Sequence, residues 1–422
     1  MSTTVTRRHF ALGAAALGAA ATLSAQPAHA SVENMEDTNV EPTGPGRIIC
    51  YVGGYTKHGP PGVDGYGLGI ASFQMDRSTG ALTPLDTFTD IDSPSFIVLS
   101  KNQRHLYALS EIDDFNKEGD GCVTAFAVDP RTGALTKQDV VSSGGAVPAF
   151  ISIHPSGKYV LCANYVGGSV SVLPIKADGS LGEATDVVRI TGPKMPERAA
   201  DNPVGNFAVS DHSGSHPHMI AATPDGQFVL ADDAGLDRVY VWRLDLKTGK
   251  LIPAAVPFYQ MLPGSAPRHF VFNKQGTLLY NLCEQDSHVV VSKFNPKTGA
   301  MTVMQRVIAL PPYFKGSSLA AEILISEDDK HVYVSNRLGD SIAVFGVNPD
   351  GTLTLQDELW THADYGRAME FDPTRNFLFV ANQRSDTVTS FRHNKRDGQL
   401  KFTKLYTPVG TPTTLAFLIT QP

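Results

Sequence analysis

The sequence predicts an all-β chain, a seven-bladed β-propeller with four antiparallel strands per blade. Three observations predict it. One turn motif recurs seven times at a spacing near fifty residues. Every copy follows the same series of short strand-like segments. The two ends of the chain each hold a different part of one blade.

The turn motif reads "DRSTGALTPL", "DPRTGALTKQ", "KADGSLGEA", "DLKTGKLIPA", "NPKTGAMTVM", "NPDGTLTLQD" and "NKRDGQLKFT". Its glycine falls at 80, 133, 179, 249, 299, 351 and 398, with spacings of 53, 46, 70, 50, 52 and 47. Such a period marks a radial repeat. The Gly supplies positive φ in a hairpin turn, and a preceding Asp or Asn favours the same geometry.

Within each copy a Pro-led strand such as "VPAFISIHPSGK" comes first. An apolar run follows, ending in "YVLCAN", "HVYVSN" or "FLFVAN", and then a segment such as "SNRLGDSIAVFGV". With the strand after the turn motif these make four strands, A to D, joined by tight turns. No long segment has helical period. "TPTTLAFLIT" at the C-terminus is a strand A with nothing after it, whereas "RIICYVGGYT" and "GLGIASFQMD" near the N-terminus are strands B and C with no strand A before them. The ends therefore complete one blade, and residues 47–422 are expected to form a single ring.

Composition agrees. The 422 residues are 42% hydrophobic and 18% charged, with 38 Gly and 28 Pro for turns and ample length for a core. The first thirty residues differ. Arg7 and Arg8 precede a mild Ala/Gly-rich apolar stretch, and "AHA" precedes Ser31. This pattern predicts a twin-arginine-type export signal over 1–30 rather than a membrane anchor. Residues 31–46 read as a disordered acidic leader. Export implies a periplasmic or secreted protein. Loss of 1–30 removes two Arg and no acid, taking the formal charge from −7 to −9. An acidic chain argues against nucleic acid as a partner, and nothing after residue 30 reads as a membrane span. A monomer is expected. Cys50, Cys122, Cys162 and Cys283 lie inside predicted strands without metal or redox spacing, so they read as buried free thiols.

The site is expected at one mouth of the channel. There the start of each innermost strand A meets the end of each strand B. After the Pro slot, the strand A starts hold Ser95, Ala149, His218, Arg268, Ala321, Arg367 and Thr413, then Phe96, Phe150, Met219, His269, Glu322, Ala368 and Thr414. A repeat needs only small or apolar residues here, so His218, Arg268, His269, Glu322 and Arg367 stand out. The strand B ends offer Asn164 and Asn336 in a recurring slot, for which a structural turn role stays open. The next slot varies, with Tyr55, Glu111, Tyr165, Asp233, Glu284, Arg337 and Gln383. His216 is a weaker candidate in the loop before its strand. Asp237, Asp340 and Asp386, at the start of strand C, read as structural caps. Two Arg, a Glu and a His converging in an acidic protein predict a small anionic ligand, although Glu284 and Glu322 could equally serve only to pair the arginines. The long interval between Gly179 and Gly249 places extra residues, 190–215, on this face as a lid, a substrate wall or a disordered loop.

The segments "YVGGYT", "TGAL", "CANYVGGSVSV", "HPHM", "APRHFVF" and "VYVSNRLGDSIAVF" resemble the seven-bladed propeller lactonase family. That family includes cycloisomerase-type 6-phosphogluconolactonases and carboxy-cis,cis-muconate lactonizing enzymes. The resemblance spans nearly the whole mature chain. It implies catalytic roles for His218, Arg268, Glu284 and Arg337, while the strand register, independently of the family, places Asn164, His216, His269, Glu322, Asn336, Arg367 and Gln383 around the substrate. "CEQ", "ADDAGLDRV" and "YGRAM" depart from the family's usual forms. The implied activity is hydrolysis of a sugar-type or carboxylate-bearing lactone without cofactor or metal. Glu284 or His218 would act as base and the arginines would hold negative charge. The alternatives are muconate-type cycloisomerisation at the same site, a non-catalytic binding propeller, and a calcium-assisted lactonase using Glu322, Asn164 and Asn336. Export favours an extracellular lactone over a sugar phosphate.

Overall fold

The computed structural model describes residues 46–60, 63 and 65–421. The expected export segment and nearly all of the leader lie outside them. Among the described residues, twenty-eight strands form seven four-stranded antiparallel sheets. The helical content is one 3-10 turn, Gln383–Ser385, and no helix is long and apolar enough to cross a membrane.

Blades 1 to 6 follow chain order. Their innermost strands are Phe96–Leu99, Pro148–Ile153, Pro217–Ala222, Pro267–Phe272, Leu319–Ile325 and Gly366–Phe371. Blade 7 takes its innermost strand, Pro412–Ile419, from the C-terminus and its other three from the N-terminal end, beginning with Ile48–Gly54. The seam is a full antiparallel ladder from Ile48↔Ile419 to Val52↔Leu415. Backbone pairing thus closes the ring and leaves no edge there for other chains.

Apolar faces of neighbouring sheets form the core. Between blades 7 and 1 lie Ile49, Tyr51, Leu106, Phe126 and Leu418. Between blades 5 and 6 lie Tyr333, Ile342, Met369, Leu378 and Phe391. Burying each such side chain contributes about 1.5–3 kcal/mol, so the interfaces set the angular position of every blade. The four cysteines are buried and free.

The turn glycine has a second use. All seven take φ between 70° and 90°. At Gly133 the carbonyl also accepts a 2.6 Å hydrogen bond from the Tyr51 hydroxyl of the preceding blade. A Cβ there would lie 3.1 Å from that hydroxyl. The same tie joins Tyr107 to Gly179 and Tyr280 to Gly351.

The strand starts at the mouth share one irregularity. In six of the seven blades the A–B ladder shifts by one residue there. The extra residue is Ala149, His218, Arg268, Arg367 or Thr413, and in blade 5 it falls between Ala320 and Ile323. A β-bulge of this kind breaks the strict two-residue alternation and re-aims side chains. Consecutive residues such as Arg268 and His269 can therefore reach the same space. Asp237, Asp340 and Asp386 hold the arrangement from outside. Each has positive φ near 50° and accepts from a backbone N–H of the segment entering the next blade, at Ala266, Tyr365 and Thr411.

Candidate active site

The mouth holds two charged groups. The first is centred on Glu284, at the end of strand Leu278–Cys283. One carboxylate oxygen, Oε2, lies 2.6 Å from Arg337 Nη2 and 2.9 Å from Arg268 Nε. Arg337 Nη2 gives its hydrogen bond to Ala320 O, so its contact with Glu284 is close charge pairing. The Arg268 Nε–H is poorly aligned, so that contact is charge pairing. The other oxygen, Oε1, accepts from the Ser210 hydroxyl at 2.9 Å. Burial pushes the Glu284 carboxyl up, but Arg337, Arg268 and Ser210 outweigh it and bring it down to about 2. Glu284 is therefore a fixed anion and a poor proton acceptor.

Backbone carbonyls hold the guanidiniums in place. Arg337 donates to Leu319 O and Ala320 O at 3.3 and 3.2 Å, and Arg268 Nη1 donates to Ala321 O. Arg337 also lies over the Tyr365 ring, 5.2 Å from its centroid. Burial and the nearby Arg337 push Arg268 down to about 9 against the pull of Glu284, which leaves it charged at neutral pH.

Beside this bridge runs a chain of three side chains. His218 Nδ1 lies 3.2 Å from His269 Nε2, and His269 Nδ1 lies 2.8 Å from Glu322 Oε1. Burial first, then Arg268, lower the His218 imidazole well below its usual value. Burial also lowers His269, with Glu322 opposing. Both rings are therefore neutral at pH 7. Phe150 packs edge-on against His269 with centroids 5.1 Å apart, and Tyr165 packs edge-on against His218 at 5.7 Å.

The second group faces the first across the mouth. Arg367 Nη2 lies 3.9 Å from Glu111 Oε2, and Arg367 Nη1 reaches Gln383 Oε1 at 3.5 Å. Glu111 accepts from Tyr55 OH at 2.9 Å and from the Ser95 hydroxyl. Burial raises the Glu111 carboxyl despite Arg367. The Arg367 contacts are long, so its donors are only loosely committed.

The structure thus brings His218, Arg268, His269, Glu284, Glu322 and Arg337 into one cluster and sets Arg367 with Gln383 in another. Three expected binders do not join either. Asn164 is fully buried and gives its amide N–H groups to Ser143 O and Ser169 Oγ at 3.0 and 3.1 Å. Asn336 gives its own to Ala309 O at 2.7 Å. The N–H groups of both amides are committed to packing, which favours the structural turn role, while Asn336 Oδ1 is buried without a hydrogen-bond partner among the described residues. His216 Nδ1 donates to Tyr165 O (2.9 Å), and the ring stacks on the Tyr165 ring at 4.8 Å and approaches Asp211 at 3.3 Å. It supports the wall beside His218 rather than lining the cluster.

Among the described residues, Glu322 belongs to no compact group of three acidic, histidine or cysteine ligands. Asp201, Asp286 and His288 do form a compact group, but Arg306 already bridges both carboxylates. A hollow of about 540 Å³ beside Phe294, Pro296 and Thr302 sits on the C–D hairpin of blade 4, at the opposite face, and carries no carboxylate or histidine.

Sequence reasoning missed Ser210 and Tyr365. Tyr55, Glu111 and Tyr165 occupy the varying slot at strand B ends, which was the signal for them. Ser210 had none, because it arrives on the long loop between blades 2 and 3. That loop is a pinned wall. Asn206 donates to Gln285 O and Ser318 O, both at 3.0 Å, and the Ser210 N–H donates to Gln285 Oε1 at 2.6 Å. His212 lies 3.3 Å from the buried Asp237.

Comparison with known proteins identifies the family. The family profile described as "Lactonase, 7-bladed beta-propeller" matches residues 49–417. The 6-phosphogluconolactonase of Bacillus subtilis strain 168 is 31% identical over 373 residues, covering 88% of this chain and 99% of that protein. The solved periplasmic gluconolactonase of Pseudomonas aeruginosa superposes with a TM-score of 0.77 at 28% identity, covering 89% of this chain and all of that one. A candidate 6-phosphogluconolactonase from Bacteroides fragilis gives the same TM-score and identity, covering 89% of this chain and 99% of that one. With the profile spanning nearly the whole ring, the chain belongs to the seven-bladed β-propeller lactonase family.

Proposed function

We propose that this lactonase opens a sugar-type lactone at the mouth cluster, with His218 as general base and the arginines binding negative charge. The observation that carries this reading is the Arg268–Glu284–Arg337 bridge beside a neutral His218. Between the two bases left open by the sequence, the geometry favours His218. Glu284 is too acidic and its lone pairs are engaged. His218 is neutral, and its Nε2 has no protein partner among the described residues.

Water attacks the lactone carbonyl carbon as His218 Nε2 takes a proton from it. The carbonyl oxygen becomes an oxyanion, stabilised by Arg337 Nη1, whose one hydrogen bond among the described residues is a long 3.4 Å approach to Tyr365 OH, and by Arg268 Nη2, which has no hydrogen-bond partner among them. The ring C–O bond then breaks, and the proton on His218 passes to the departing alkoxide. The product is the hydroxy acid, and His218 is neutral again. Arg367, across the mouth, suits a second polar or anionic group of the substrate.

The paired Arg7 and Arg8 and the likeness to a periplasmic gluconolactonase support action outside the cytoplasm. They favour an unphosphorylated aldonolactone, whereas the likeness to 6-phosphogluconolactonases keeps the phosphorylated form in the test. Relatives with lactonase names favour hydrolysis over cycloisomerisation.

The test is a panel of phosphorylated and unphosphorylated sugar lactones and muconolactones, read by proton release. Turnover of one class is expected. Arg337→Ala and Arg268→Ala should each lower kcat/KM for it by about 100-fold or more. Full activity in both variants would overturn the assignment, and no turnover by folded protein would point to a binding propeller.

A further inference from the structure

We propose that Glu322 and His269 are positioning residues that fix His218 as its Nδ1–H tautomer, leaving Nε2 bare toward the channel mouth. The inference rests on the reading of His218 as the base and deepens it.

The argument follows the donors and acceptors along the chain. An ionised carboxylate can only accept. Glu322 Oε1 takes the backbone N–H of Ile323 at 3.2 Å as well as the His269 contact at 2.8 Å, which suits the ionised form. His269 must therefore carry a proton on Nδ1. Three guanidiniums surround this space, and Arg268 Nη1 points an N–H at His269 Nε2 from 3.2 Å. A second proton on Nε2 would face that donor, so His269 Nε2 is an acceptor. His218 Nδ1 lies 3.2 Å from the same nitrogen. A lone pair on it would face the lone pair of His269, so it is the second donor and shares that acceptor with Arg268. A neutral imidazole has one N–H, so His218 Nε2 holds the free lone pair. The remaining neighbours of His218 agree. Tyr165 presents a ring edge, while Arg337 and Arg367 act through charge and oppose an imidazolium.

The order of residues matters. Glu322 lies in blade 5, His269 in blade 4 and His218 in blade 3. The protonation state at the reacting nitrogen is thus fixed by a carboxylate two blades away, which touches neither water nor substrate in the proposed step. Removing the carboxylate should release the choice of tautomer without removing the base.

The experiment is ¹⁵N NMR of the histidine side chains on the purified protein, with His218 and His269 assigned by substitution. No substrate is added. The wild type is expected to show His218 protonated on Nδ1 and bare on Nε2. In Glu322→Leu, which offers no acceptor, Arg268 Nη1 alone still opposes a proton on His269 Nε2, and a measurable fraction of His218 should take the Nε2–H form. There kcat on the active lactone should fall by the same fraction, with KM changing far less. A wild-type His218 protonated on Nε2 overturns the proposal, as does a Glu322→Leu variant whose His218 tautomer is unchanged. If that variant fails to fold, the wild-type spectrum decides alone. The expected tautomer without turnover of any lactone would count against the hydrolase reading and leave the relay standing.

Discussion

At the scale of single residues, the site divides its labour by environment. Glu284 and His218 are both buried, yet desolvation is overcome in one and unopposed in the other. Two arginines and a hydroxyl hold Glu284 ionised down to about pH 2, while the same arginines keep His218 neutral. The activity should follow His218. Its lowered value predicts that kcat/KM stays level as pH falls through the ordinary imidazole value of about 6.5, and drops only below it. A profile breaking at 6.5 or higher would assign the base elsewhere. Glu284 should govern stability instead. Its folded value lies below its ordinary 4.5, so its contribution is complete above about 4.5 and lost as pH falls toward 2. Glu284→Gln should destabilise by about 3–5 kcal/mol at pH 7, because two buried guanidiniums lose their partner. The deficit should shrink as pH falls toward 3, as measured by denaturant midpoints.

At the scale of elements, one device recurs. The bulge at the start of the innermost strand turns consecutive side chains toward the mouth, and the Asp with positive φ behind it anchors the next blade's first backbone groups. The repeat supplies the geometry, and individual blades supply the chemistry. Not every buried acid on these strands belongs to the site. Asp232 is wholly buried, and burial raises it to about 8. Asn281 in the next blade donates to both its oxygens at 3.0 and 3.2 Å, but Asn281 Oδ1 has no partner. A raised acid lowers stability as pH climbs from its unfolded value toward its folded one. Asp232→Asn should therefore stabilise the protein by about 2–4 kcal/mol at pH 8 and very little at pH 4. Its new N–H can serve Asn281 Oδ1. Equal melting temperatures of the two proteins at pH 8 would contradict this.

At the scale of the whole molecule, closure is the vulnerable step, since one blade is made from residues more than three hundred positions apart. Leu418 lies at the seam and is 1% exposed, packed between blades 7 and 1. Leu418→Ala should cost about 2–5 kcal/mol and lower the thermal midpoint of the entire ring. An unchanged midpoint would mean that the seam does not limit stability.

The sequence by itself determined the repeat, the four-strand unit, the closing blade and the mouth face. Each rests on periodicity or turn chemistry, which are local properties. The Gly at 80, 133, 179, 249, 299, 351 and 398 announced seven turns because only positive φ fits there. It also marked His218, Arg268, His269, Glu322 and Arg367 as side chains that a repeat does not need. What it could not determine was how those side chains spend their hydrogen bonds. Asn164 and Arg337 end equivalent strands and read alike as polar residues at a mouth. Only the packed ring turns the Asn164 amide into its blade and the Arg337 guanidinium onto Glu284. Ser210 was illegible for a related reason, because the loop that brings it to Glu284 has no repeat to set its register. The partner of a polar group is chosen by distance in the folded ring, and in this ring the residues of the Glu322–His269–His218 chain come from three blades.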